Sequence, residues 1–198
     1  MHLVFISVSL SILLTTSIAV AQIQPAVTYN YYPVRPEAGQ SIYRQMFKDS
    51  IITHKGHKVV AITDWDIKYS CDYKSSDHGI CEIEKHEVIC KCDITLPQLV
   101  TDEKRLNDVF DEYMTYLRKH ELHHCQIATD YANYLNDKLK ALGPMECRAL
   151  KAAVKVVRNE AVSEAKKAHR LFDQQTLENR KNFHAGKHFL GDLFPENP

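Results

Sequence analysis

The sequence predicts an α+β fold: a small antiparallel sheet followed by two long antiparallel helices. Three observations predict it. Residues 58–96 alternate apolar and polar side chains, the period of half-buried strands. Residues 101–180 repeat their apolar side chains every three or four positions, the period of amphipathic helices. Gly143-Pro144 interrupts that helical stretch once, so the two helices fold back as antiparallel neighbours.

The elements follow in order. Thr28-Tyr29-Asn30-Tyr31-Tyr32-Pro33-Val34 is aromatic and extended. Residues 41–49 suit a short helix. Residues 58–72 read as a strand, in which Trp65, Ile67 and Tyr69 alternate with Asp66, Lys68 and Ser70. Ser75-Ser76-Asp77-His78-Gly79 is turn material. A second strand, over 80–96, stops at Pro97. Thr101 or Asp102 can cap the first long helix. Its stripe runs through Leu106, Phe110, Tyr113, Leu117, His120, His124, Ala128, Tyr131, Leu135 and Leu139. The second helix shows Leu150, Val154, Val157, Ala161, Ala165, Ala168 and Phe172 on one face. Residues 22–198 thus form a single domain. Strands dominate 22–100, helices occupy 101–180, and 181–198 is a polar tail.

Composition narrows the function. The 198 residues carry 25 Lys plus Arg and 25 Asp plus Glu, a net charge of zero, which argues against a nucleic-acid partner. From Leu3 to Ala21 no side chain is charged, and Ala19-Val20-Ala21 is a small-x-small cleavage pattern. Residues 1–21 therefore read as a signal peptide. Removal of that segment leaves no stable membrane insertion, and the protein is expected to be secreted or periplasmic. The six cysteines, Cys71, Cys81, Cys90, Cys92, Cys125 and Cys147, then read as up to three disulfides in an oxidising compartment. Most of the chain between Cys125 and Cys147 is helical, so Cys125 is expected to pair with a cysteine of the sheet.

Chemistry concentrates in His120-Glu121-Leu122-His123-His124. His120, Glu121 and His124 fit the His-Glu-x-x-His pattern of zinc hydrolases. Residues four apart stack on one helix face, so both imidazoles can point at one ion. Glu121 is offset by one position and can reach a water on that ion. The expected mechanism has Zn²⁺ held by His120, His124 and a third side chain, with Glu121 as general base towards a metal-activated water. The expected partner is a peptide or protein substrate. His123 reads as a solvated neighbour. His54, His57, His78 and His86 read as surface residues. His169, His184 and His188 are the remaining histidines able to approach the site.

The chain resembles the secreted bacterial proteins catalogued as domain of unknown function 922, described as predicted zinc-dependent proteases. The resemblance rests on Tyr31-Tyr32-Pro33-Val34, Thr63-Asp64-Trp65-Asp66-Ile67, Ile94-Thr95-Leu96-Pro97, His120-Glu121-x-x-His124 and Phe172-Asp173-x-x-Thr176. It implies a zincin-like fold and a zinc-dependent peptidase. One departure stands out. Where the family tends to have His-Gly after the Thr, this chain has Glu178-Asn179.

Asp173 is the expected third ligand, with two other carboxylates as alternatives. Asp173 is retained from the family pattern, Glu178 stands at the departure, and Glu164 follows from geometry. If the helices pair about Gly143-Pro144, His120 and His124 face residues near 163–167. Asp173 would then sit roughly 9–15 Å further along. The departure also motivates an alternative function, an exported non-catalytic binding or scaffold module of the same fold with a decayed or structural metal site.

Overall fold

The computed structural model describes residues 22–186, with side chains to Thr176. The expected signal peptide and residues 187–198 lie outside the described residues. The elements are β1 (Ala26–Val34), α1 (Ile42–Asp49), β2 (Thr53–His54), β3 (His57–Lys58), β4 (Ile62–Ser75), β5 (Ile80–Leu99), α2 (Lys104–Lys140), β6 (Met145–Glu146) and α3 (Cys147–Gly186).

The chain is α+β, as expected, but its sheet is mixed rather than antiparallel. Strand β5 lies in the middle. It pairs antiparallel with β4 on one side and parallel with β1 on the other. Strand β1 ends at Val34 beside Leu99, and β4 begins at Ile62 beside Thr95. The segment between them, α1 and the β2–β3 hairpin, therefore stays at one end of the sheet. This makes β1 and β4 run in opposite directions. The turn at 76–79 then returns β5 antiparallel to β4, and so parallel to β1. Alternation in a sequence marks a strand but carries no direction, so this pairing was not legible locally.

Other boundaries also differ from expectation. The strand expected over 58–72 divides into β3 and β4, and β5 continues past Pro97 to Leu99. Beyond Thr95, β5 pairs with β1 but no longer with β4, so the missing Pro97 N–H interrupts no β4–β5 bond. Helix α2 starts at Lys104 after Glu103, without a side-chain cap. Helix α3 passes the expected end at 180 and reaches Gly186. The Glu146 carboxylate accepts from Arg148 N at 2.9 Å and Ala149 N at 2.8 Å, which satisfies two free donors of its first turn.

Alternation along β5 builds the core. Val88, Cys90, Cys92, Ile94 and Leu96 are buried, while Lys91 and Asp93 face solvent. Helix α2 crosses the buried face and joins two apolar clusters. One gathers Tyr32, Val34, Met46, Ile94, Leu96, Phe110 and Leu117. The other gathers Ile67, Cys90, Cys92, Cys125, Ala128, Leu135, Val154 and Ala161. Ala161 and Ala165 of α3 are fully buried, and their small side chains allow a close helix approach.

Two disulfides pin these layers. Cys92–Cys125 ties the centre of β5 to α2, so Cys125 does pair with a sheet cysteine. Cys81–Cys147 ties the start of β5 to the start of α3. Two bridges fall within the expected maximum of three, and Cys71 and Cys90 are free. Cys71 stands opposite His86 and Cys90 opposite Ile67. They are four ladder positions apart, ~13 Å along the strands, beyond disulfide reach.

Tyr32 locks β1 to the chain entering β4. Its side chain is buried, and its hydroxyl donates to Val60 O at 2.8 Å. Burial pushes its phenol from 10.0 up to about 12. Tyr32→Phe leaves that carbonyl unsatisfied, at a cost of ~1–3 kcal/mol in urea unfolding at neutral pH. The folded-state value is raised, so the hydroxyl's contribution is full below pH 10 and fades as pH rises through about 12. The stability gap between wild type and variant should therefore narrow over that window. A gap independent of pH refutes the assignment.

Candidate metal-binding site

Helix α2 supplies the first two groups. His120 and His124 lie one turn apart on the same face, and their Nε2 atoms are 3.3 Å apart. Helix α3 supplies the third. Asp173 Oδ1 lies 3.0 Å from His124 Nε2 and 3.6 Å from His120 Nε2. These donor atoms all fall within 4.8 Å of one another, a group that could hold a metal ion. Burial pushes the Asp173 carboxyl up, but hydrogen bonds from His120 and His124 outweigh it and hold it well below the usual carboxylate range.

Asp173 reaches the pair because the helices are displaced from the expected register. His124 meets His169 and His120 meets Asp173, where residues 163 and 167 were expected. The shift is six positions, ~9 Å of helix. Helical side chains lean towards the helix N-terminus, so on antiparallel neighbours they lean in opposite directions. A residue on α2 therefore meets a partner further from the turn on α3. Glu164 instead pairs with Lys167 on its own helix. The side chains of Glu178 and His184, and residue His188, lie outside the described residues.

Around the three groups stands an aromatic collar. Phe172 stacks on His120 with ring centres 4.8 Å apart and meets the His124 ring edge-on at 5.0 Å. It also lies against His123 at 4.1 Å, so His123 is exposed yet held. His169 Nδ1 lies 2.8 Å from His124 Nδ1, and its ring stacks on Trp65 at 4.7 Å. Burial, with the neighbouring His124, pushes the His169 imidazole down to about 4, which keeps it neutral.

Glu121 is buried on the sheet side of the helix. Thr63 Oγ1 lies 2.8 Å from Glu121 Oε2 and can donate to it. Burial raises the Glu121 carboxyl above its ordinary value, against the pull of Thr63 and of His120 and His124. A buried carboxylate with a raised proton affinity beside two imidazoles is suited to taking up a proton.

His120, Glu121, His124 and Asp173 line one groove of about 880 Å³, within the usual range of ligand clefts. Strand β4 forms one wall through Thr63, Asp64, Trp65 and Asp66, and α3 forms another from Arg158 to Thr176. Thr63 was not singled out as a site residue from sequence. Its only signal was membership of a short block with Trp65. His169 was one of three remaining candidates, and no local feature favoured it.

Fold and site together define an α+β protein in which two imidazoles and one carboxylate converge beside a buried glutamate. The chain belongs to the family described as bacterial protein of unknown function (DUF922), whose model matches residues 29–180. No curated protein and no solved structure matches it.

Proposed function

We propose that this protein is a zincin-like, zinc-dependent metallohydrolase, specifically a peptidase, exported to an oxidising compartment. The convergence of His120, His124 and Asp173 on one point carries the reading. Tetrahedral zinc with bonds of about 2.0–2.1 Å to N and O keeps its donor atoms ~3.3 Å apart. The three donors here are separated by 3.0, 3.3 and 3.6 Å, and two imidazoles with a carboxylate are donors that suit zinc. Such an ion lowers the pKa of a water towards ~7 and polarises a carbonyl.

The chain's own residues do the rest. Glu121 takes a proton at its carboxylate and returns it to the leaving amine. Thr63 donates to that carboxylate and fixes its orientation. His124, using Nε2 towards the metal, keeps its proton on Nδ1, where His169 Nδ1 is placed to accept it. Trp65 and Phe172 hold the imidazoles in place and exclude water from their faces. The uncharged leader and the two disulfides support export. Among the described residues no helix is long and apolar enough to cross a membrane.

Metal analysis of purified, disulfide-intact protein tests the reading. The expected result is close to one zinc per chain, lost in His120→Ala. A protein that carries no zinc and takes up none ends it. His169→Ala should keep the ligands but weaken zinc binding ~10–100-fold in chelator competition, as loss of a supporting hydrogen bond does. An unchanged affinity would show that His169 only packs. The second reading, a non-catalytic module, draws on the Glu178-Asn179 departure. It gains if zinc binds while wild type and Glu121→Gln behave alike on a broad peptide library.

A further inference from the structure

Resting on the peptidase reading, we propose that the groove between β4 and α3 selects peptides carrying acidic side chains on one side of the scissile bond, held by Arg158, Lys166 and Arg170. With Val162 these three form a stripe at four-residue steps along α3, and all four line the groove.

The cations are available. Among the described residues none of the three forms an ion pair. Arg158 donates only to its neighbour Asn159, at 3.2 Å. Of the acidic residues of the same helix, Asp173 lines the groove but is held by His120 and His124, and the two that lie between these cations point elsewhere. Glu160 accepts from the Tyr134 hydroxyl at 2.7 Å, and Glu164 pairs with Lys167. Neither lines the groove. Lys166 and Arg170 are exposed, and Arg158 is half-buried. Opposite them β4 presents Asp64 and Asp66, and Asp66 has Lys68 at 3.6 Å. The groove is thus cationic along α3 and weakly acidic along β4, a polarity that orients a charged chain.

Helix geometry sets the spacing. Arg170, Lys166 and Arg158 stand three, seven and fifteen positions before Asp173, or ~4.5, ~10 and ~22 Å along the axis. An extended peptide advances ~3.3 Å per residue. Acidic side chains about three and about seven residues from the scissile bond therefore meet Lys166 and Arg158, and one next to it meets Arg170. The net charge of zero favours a peptide over a nucleic acid as the anion.

Binding, rather than cleavage, gives the test. Three fluorescein-labelled peptides of ~12 residues differ only in carrying Glu, Gln or Lys at the two outer positions. Their anisotropy is titrated with disulfide-intact protein held in chelator, so no turnover is needed. The Glu peptide should bind ~10-fold or more tightly than the Gln peptide, with Lys weakest, and the advantage should shrink as salt rises. Arg158→Glu with Lys166→Glu should abolish or reverse the order while circular dichroism stays unchanged. Lys166→Gln alone should reduce the preference. Binding of all three peptides within about twofold, or a preference indifferent to these substitutions, overturns the proposal. So does equal competition by a single-stranded oligonucleotide of the same charge. Absence of zinc with the charge order intact would end the peptidase reading and leave this groove standing. Zinc-dependent cleavage without any charge order would do the reverse.

Discussion

Glu121→Gln is expected to lower peptide hydrolysis ~10²–10⁴-fold, the usual contribution of a positioned general base, while zinc stays near one per chain. The substitution keeps the side chain's shape and its acceptor oxygen towards Thr63, but removes the proton-accepting carboxylate. Stability should move the other way. Burial raises the proton affinity of Glu121, so its protonated form is the stabilising one. That contribution is present below the ordinary carboxylate range and is lost as pH rises through the raised value. At neutral pH the ionised group is a cost to the metal-free fold. Metal-free Glu121→Gln should thus melt no lower than wild type at neutral pH and show its advantage shrink in acid. Hydrolysis within twofold of wild type, with zinc bound, would remove Glu121 from the mechanism.

Replacing both Cys92 and Cys125 with Ala should destabilise the protein by ~4 kcal/mol, the loop-entropy value for a closure of 33 residues. For a domain of this size that is a fall in Tm of ~8–15 °C. The bridge joins the middle of β5 to the residue after His124, so it also seats the candidate site against the sheet. Both cysteines are buried, and Ala leaves no unsatisfied hydroxyl there. Urea unfolding, with a slope that rises as the unfolded chain loses its cross-link, checks the number. A loss below ~1 kcal/mol would show that packing of α2 on the sheet suffices without the bridge.

Much of the fold and half of the site could be read from residues in order. The four-residue step between His120 and His124 guarantees one face once the segment is helical, and the apolar stripe through Leu117 and Ala128 requires the helix. Alternation along β5 similarly fixes which side chains enter the core. These are short-range properties, set by backbone geometry over a few residues. Asp173 was expected as third ligand only from the resemblance, since the simplest pairing of the helices placed it too far away. Thr63, though it donates to Glu121 from 58 positions earlier, bore no local mark of that role.

By itself, then, the sequence determined the class of fold, the helix that presents two imidazoles and a glutamate, and the presence of cross-links. Only the tertiary structure decided the direction of β1, the partners of each cysteine, and the carboxylate that faces the imidazoles. It also decided that the cations of α3 look across at β4. The physical reason is the same in each case. Local periodicity states which face of an element is buried. How far one element slides along another, and in which direction it runs, follows from long-range packing and from anchors such as Cys81–Cys147.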